Sequence, residues 1–166
     1  MSRIFVGVDP GLKGGLVMIE DDGPPRLMTM PSVKVGTKTQ IDEQCVRDWF
    51  SYCVVFKPNV IVTIELVHSM PKQGVVSTFN FGLGWGLVRG ICCGLGLPYQ
   101  LVRPQEWKKV MLKGHPKGSE YLVASRLWPD ADWKRTPRCT IPHDGLVDAA
   151  LIAEYGRRQH QGENDD

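Results

Sequence analysis

Four acidic residues stand where solubility alone does not explain them. Asp9 closes the apolar run Ile4-Phe5-Val6-Gly7-Val8 and is followed by Pro10-Gly11; Glu65 closes the β-branched run Val60-Ile61-Val62-Thr63-Ile64. A carboxylate at the end of a buried strand is costly unless it is hydrated, paired or bound to a cation. Strand ends are also where the ligand sites of α/β sheets gather. Asp144 and Asp148 lie four apart in a segment of helical period, so they share one face, one turn apart. Acids brought side by side repel each other, and a hard cation such as Mg²⁺ relieves that repulsion through the oxygen ligands it prefers. A pair of such ions, about 3.5–4 Å apart, activates a water and steadies the leaving oxygen in phosphodiester hydrolysis.

Simpler roles exist for some of these residues. A strand-end acid can merely be solvated, and Asp144 falls in the first helical turn, where capping and the macrodipole favour an acid without chemistry. Asp148 is harder to explain that way, being flanked by Val147 and Ala149-Ala150. His143 can be a ligand, an acid/base group or a histidine of the capping region.

The cations are concentrated in one segment. Residues 101–140 hold nine Lys/Arg against four Asp/Glu, whereas residues 141–166 hold two against six, within a net charge of +2. A basic stretch next to an acidic one suggests a polyanionic partner beside a metal site, although a solvated surface has the same composition. Lys108, Lys109, Lys113, Lys117, Lys134, Arg135 and Arg138 could neutralise backbone phosphates, which would make affinity strongly salt-dependent. Lys117, in a Gly-Pro-rich loop ahead of a helix, could instead polarise the scissile phosphate. Composition does not separate the two roles.

The elements that must position these groups follow from periodicity. Short β-rich runs at 3–9, 15–20 and 26–30, separated by Pro-Gly and Asp-Asp-Gly-Pro-Pro turns, predict an antiparallel meander. Ile41, Cys45, Trp49 and Cys53 recur every fourth residue and mark a helix over about 41–56. Residues 60–64 suit a strand buried on both faces, in the middle of a sheet. Gly82, Gly86, Gly90 and Gly94 recur every fourth residue, so a helix there carries a smooth ridge. Interior glycine costs a helix about 1 kcal/mol relative to alanine, so the ridge predicts close packing, on the sheet or across a subunit interface. A strand at 99–103 leads to a helix that starts at Pro104. Basic loops at 113–118 and 129–142 flank a short helix at 119–128. A last helix covers 143–158, and the polar residues 159–166 form a tail expected to be disordered. The order βββαβαβααα indicates an α/β or α+β domain with a mixed sheet.

At 166 residues the chain corresponds to one domain, and its 42% hydrophobic and 23% charged residues place it among globular proteins. Five cysteines, an odd number with no C-x-x-C pair, fit buried thiols better than zinc or disulfides. No apolar run follows a basic start, so a cytoplasmic location is expected, that of the host if the protein is phage-encoded. Glycines, Asn80 and Arg89 interrupt the longest apolar stretch, so no membrane span is expected.

Four motifs in order resemble the RuvC-type Holliday-junction resolvases of the RNase H-like superfamily, and bacteriophage members most. They are Val6-Gly7-Val8-Asp9-Pro10-Gly11 with Gly14-Gly15; Val62-Thr63-Ile64-Glu65 followed by His68-Ser69-Met70-Pro71-Lys72-Gln73-Gly74; Arg103-Pro104-Gln105-Glu106-Trp107-Lys108-Lys109 leading to Gly114 and Lys117; and His143-Asp144-Gly145-Leu146-Val147-Asp148-Ala149-Ala150. One alone would be weak; four in register are specific.

The resemblance implies a five-stranded mixed sheet flanked by helices over residues 1–158. It implies a homodimer that nicks opposed strands of a four-way DNA junction with Mg²⁺, for which Mn²⁺ would substitute, leaving 5′-phosphate and 3′-hydroxyl ends. By matching position, Asp9, Glu65 and Asp148 would be metal ligands, and Lys108 (or Lys109) and Lys117 the functional lysines. The glycine-ridged helix would lie at the dimer interface. The final acids are four apart where cellular relatives often have three, which makes Asp144 the expected fourth ligand and His143 the second candidate. Family members also carry an aromatic after the second acid, where this chain has Val67-His68, so no base-stacking role carries over. Two rivals remain: a junction-binding scaffold that kept the fold without the chemistry, and an actin/Hsp70-like nucleotide-binding domain. The second also opens on Asp-x-Gly but needs two lobes, for which the chain is too short.

Overall fold

Strand β1 (Ile4–Asp9) is the middle of the architecture, in a computed structural model that describes residues 3–20, 23–56, 59–66 and 74–162. It pairs antiparallel with β2 (Gly15–Glu20), which pairs antiparallel with β3 (Arg26–Thr29). On its other side it pairs parallel with β6 (Val60–Glu65), and β6 pairs parallel with β7 (Tyr99–Val102). The sheet order is therefore β3-β2-β1-β6-β7, the expected meander joined to a parallel half. A separate ribbon, β4 (Ser32–Val35) with β5 (Lys38–Ile41), follows β3. The helices are α1 (Glu43–Val54), α2 (Val75–Gly94), α3 (Pro104–Met111), α4 (Glu120–Leu127) and α5 (Asp144–Gly162).

The period-2 alternation of the strands divides the core into two layers. Ile4, Val6 and Val8 of β1, Leu16 and Met18 of β2, and Val60, Val62 and Ile64 of β6 pack with Phe50 of α1 and Val88 of α2. Phe5, Val17 and Ile19 face the other way, onto Ala149, Ala150 and Ala153 of α5 and Trp107 of α3. Gly7 lies on that second face, and it sets how close α5 can come. A Cβ there would overlap the Ala149 carbonyl oxygen and the Ala153 backbone nitrogen. Gly15 and Gly145 repeat the device one strand over, since a Cβ on Gly15 would lie 2.7 Å from the Gly145 oxygen. Helix α5 thus rests backbone-on-backbone against β1 and β2.

Several expectations are corrected. Residues 32–41, most of which the sequence reading gave no element, form a hairpin: Val33-Lys34-Val35 alternates, and Gly36, at φ +62°, makes the tight turn. Helix α1 consequently starts later, where the Asp42 carboxylate accepts the Cys45 N–H at 3.0 Å. Helix α5 continues to Gly162, beyond residue 158, because buried Glu154 ties its last turns together through Arg157 and Arg158, each at 2.7 Å. Gly82, Gly86, Gly90 and Gly94 do not pack on the sheet; a Cβ on any of them would meet open space. Gly84, on the opposite face of α2, is the one in close approach: a Cβ there would lie 2.6 Å from the Pro10 oxygen. Cys53 and Cys92 are buried, but Cys45 and Cys93 are exposed and Cys139 is half-buried, all as free thiols. The string from His68 to Gln73 and the tail beyond residue 162 lie outside the described residues. Among the described residues no helix is long and apolar enough to cross a membrane.

Gly7→Ala should lower the unfolding free energy by about 3 kcal/mol, because the helix must lift off β1 to admit a methyl group. Urea denaturation checks this, and an unchanged midpoint would mean that α5 is not seated on Gly7.

Candidate active site

The alternation that builds the core also aims the acids. Phe5, Gly7 and Asp9 share one face of β1, and Ile61, Thr63 and Glu65 share the same face of β6, both turned toward α5. The parallel register pairs Val8 with Ile64, so Asp9 and Glu65 end adjacent strands side by side. Ala149 is seated on Gly7, which leaves Asp148, one residue earlier, above the same strand ends. Three acids separated by more than fifty residues in each interval therefore reach one place.

Their electrostatics record the proximity. Burial, then the neighbouring Glu65 charge, pushes the Asp9 carboxyl up to about 6. Burial likewise pushes Asp148 up to about 7, with Asp9 and Glu65 adding to the rise and Lys108 opposing it. Glu65 is raised by burial, against the Trp107 hydrogen bond and Lys108. Burial pulls the Lys108 ammonium down, but Asp148, Glu120 and Glu65 together outweigh it and leave it above the ordinary lysine range. This is an anionic, partly dry pocket with one cation at its side.

Hydrogen bonds hold the groups individually. Trp107 Nε1 donates to Glu65 Oε1 at 2.9 Å, and Asp9 Oδ1 accepts the Gly11 N–H at 3.3 Å. Lys108 Nζ sits 3.1 Å from Glu120 Oε1. Placed this way, no three His, Cys, Asp or Glu side chains among the described residues are gathered closely enough to hold one metal ion. The donor chemistry nevertheless fits a hard divalent cation: oxygen ligands only, desolvated, and repelling one another until a positive charge joins them.

The remaining candidates fall into distinct places. Asp144 is exposed at the start of α5 and lines a cavity of about 350 Å³ with Lys108, Glu120, Tyr121 and Asp148. His143 serves the helix start: its Nδ1 accepts the Leu146 N–H at 3.2 Å, and its backbone N–H donates to the Trp133 carbonyl oxygen at 2.7 Å. Burial, then Arg135, lowers its pKa. Lys117 is exposed in the turn before α4, near enough for its charge to act on Glu120. Lys109 and Lys113 are exposed on and after α3, while Lys134, Arg135 and Arg138 are exposed in the segment between α4 and α5. Sequence reasoning did not single out Trp107 or Glu120. The signal for Trp107 was present, an aromatic with a polar tip one residue before Lys108; nothing in the sequence pointed to Glu120.

No protein-family model and no curated protein matches this sequence. Solved structures do. A Thermus thermophilus RuvC in complex with Holliday junction substrate superposes with a TM-score of 0.59 at 18% identity, covering 95% of this chain and 96% of that one. A second Thermus thermophilus RuvC structure gives 0.57 at 20% identity, over 95% and 97%. The chain shares the fold of these RuvC structures. The superposition takes in nearly the full length of both chains in each case.

A buried carboxyl titrating above its unfolded value makes folding less favourable as it ionises. The native state holds the extra proton between about pH 4 and pH 7, so metal-free stability falls as pH rises through that window and the loss is complete above it. Asp148→Asn should therefore raise metal-free stability at pH 8 by on the order of 2 kcal/mol and leave it unchanged near pH 3.5. Thermal melts in EDTA at the two pH values test the sign; destabilisation at pH 8 would contradict the burial of that charge.

Proposed function

We propose that this protein is a divalent-metal-dependent endonuclease that cuts branched DNA, four-way junctions foremost, as a homodimer. One observation carries the reading: Asp9, Glu65 and Asp148 converge with Lys108 on one face of a RuvC-type frame. Burying acids that raise one another's pKa is a standing cost to the fold, and charge compensation by a cation gives that cost a purpose.

Asp9, Glu65 and Asp148 would hold the ion, Mg²⁺ with Mn²⁺ as a substitute, and Asp144 is the next oxygen donor along the cavity. When bound, the ion supplies an activated water and neutralises charge on the phosphate. Trp107 fixes the direction of Glu65, and Glu120 fixes Lys108 beside Asp148. Lys108 then presents a positive charge where a scissile phosphate would approach, and Lys117 stands at the rim to add a second. Lys109, Lys113, Lys134, Arg135 and Arg138 would take the flanking phosphates. His143 is better used as a cap than as a ligand, because its Nδ1 is engaged by the helix.

A dimer has a surface available. The glycine ridge of α2 is open, and Phe79 and Leu83 beside it are 67% and 54% exposed. Two copies of this helix could pack backbone-to-backbone along the ridge, and two-fold symmetry suits a nearly two-fold junction. A scaffold without chemistry is less favoured, because all four acids remain and burial raises the pKa of three of them, at a cost. A two-lobed nucleotide-binding arrangement is not favoured, since a single main sheet organises the described residues.

On a synthetic four-way junction with Mg²⁺, Asp9→Asn should slow strand cleavage on the order of a thousandfold while binding persists. Lys117→Ala should slow cleavage more than binding, whereas Lys134→Ala should mainly weaken binding and flatten its salt slope by about 1. Undiminished cutting by Asp9→Asn would remove the acid site from the mechanism, and tight binding without cutting by the unmutated protein would favour the scaffold. Leu83→Arg should convert the dimer to monomer in sedimentation and separate the paired nicks; a variant that stays dimeric would place the interface elsewhere.

A further inference from the structure

The β4–β5 ribbon adds little to the core. Its strands pair only with each other, and every residue but Ile41 is exposed. An isolated two-stranded hairpin is marginal in water, so an exposed one invites a partner. Its chemistry is cationic: residues 32–41 contain Lys34 and Lys38, no acid, and the short polar side chains of Ser32, Thr37, Thr39 and Gln40. Among the described residues neither lysine forms an ion pair.

Its place in the fold is what gives this meaning. Thr29 at the end of β3 pairs with Gly15, which pairs with Asp9; at the other edge Val102 at the end of β7 pairs with Glu65. The ribbon and helix α3 therefore leave the sheet from the same end, at opposite edges, with the acids between them. Four strand spacings of about 4.8 Å separate those edges by roughly 19 Å. The ribbon's base is fixed there: Met30 N–H donates to the Gly14 oxygen at 3.0 Å and Asp42 N–H to the Pro31 oxygen at 2.9 Å. Ile41 also packs against Gly84, and Thr39 and Gln40 share a small cavity with Leu12, three residues after Asp9. Four residues at about 3.3 Å each carry the turn some 13 Å beyond that anchor.

We propose that the β4–β5 ribbon is a second nucleic-acid contact, whose Lys34 and Lys38 hold backbone phosphates on the side of the acid site opposite helix α3 with Lys108 and Lys109. The inference rests on the DNA reading of the site and extends it: the acids are flanked by positive charge at both edges, as a substrate with more than one arm requires. Lys34 shares a ribbon face with Thr39 and Ile41, and Lys38 shares the other with Val33, Val35 and Gln40. The two lysines thus reach phosphates on either side of the ribbon.

The test is the affinity of the full chain for a labelled four-way junction in EDTA, across a salt series. Lys34→Ala/Lys38→Ala should bind on the order of tenfold more weakly at low salt and lower the slope of log affinity against log salt by about 2. Lys34→Arg/Lys38→Arg should bind like the unmutated protein, and the melting temperature of both should be unchanged because the ribbon does not serve the core. Unaltered affinity and slope in the alanine variant would overturn the proposal. Failure of the unmutated protein to bind any DNA would overturn it together with the DNA reading. Binding that depends on the ribbon but no cutting in Mg²⁺ would support the ribbon contact and remove the nuclease reading alone.

Discussion

Contact between two backbones organises this molecule. Where Gly7 meets Ala149 and Ala153, helix α5 lies on β1 with no side chain between them. That closeness lowers the N-terminal half of the helix until Asp148 is level with the strand ends that carry Asp9 and Glu65. A methyl group at residue 7 would raise the helix and take Asp148 away from the other two. The glycine pair at 15 and 145 extends the contact toward the Pro10–Gly14 turn, so the first turn of α5, with His143 and Asp144, is set by the same approach.

From this seat the electrostatics follow. Acids on adjacent parallel strands, covered by a helix that adds a third, are short of water and short of positive charge. Lys108 supplies part of the compensation and is itself shared with Glu120. The carboxyl pKa values are raised by that shortage, and a divalent cation is the simplest group that would relieve it. The hydrogen bond from Trp107 to Glu65 links the site to the core beneath it, since that indole is also one of the largest fully buried side chains. The fold bears a cost in stability at the place where the proposed chemistry happens, a pattern general to functional sites.

The two ends of the sheet differ correspondingly. At one end lie the starts of β1, β3, β6 and β7. At the other, β1, β3, β6 and β7 terminate together, and from this end emerge the acids, the basic helix α3 and the cationic ribbon. Helix α2 stands apart from this chemistry, with one face on the sheet through Gly84, Val88 and Cys92 and the other left smooth and apolar. Charge on one side and an uncovered apolar ridge on another divide the surface between a polyanion and a second copy of the chain in the proposed reading.

Much of this was legible before any fold was known. Apolar runs ended by Asp9 and Glu65, the meander turns, the Pro104 helix start and the spacing of Asp144 and Asp148 depend on near neighbours in the chain, and they came out as read. Features that depend on what packs opposite did not. The glycines of α2 looked like a packing ridge, but which helix face meets the sheet is decided by the strands beneath it, and the face chosen was that of Gly84. The hairpin at 32–41 was missed because four-residue strands carry too little periodicity to stand out from a loop. The final turns of α5 were lost because Glu154 binds Arg157 and Arg158 only once the helix is buried. Residue types and spacing alone determined which acids and lysines could do chemistry and which elements carry them. Tertiary structure alone decided that Asp9, Glu65 and Asp148 share a face and a height, because that depends on strand register and on how near a glycine lets a helix come.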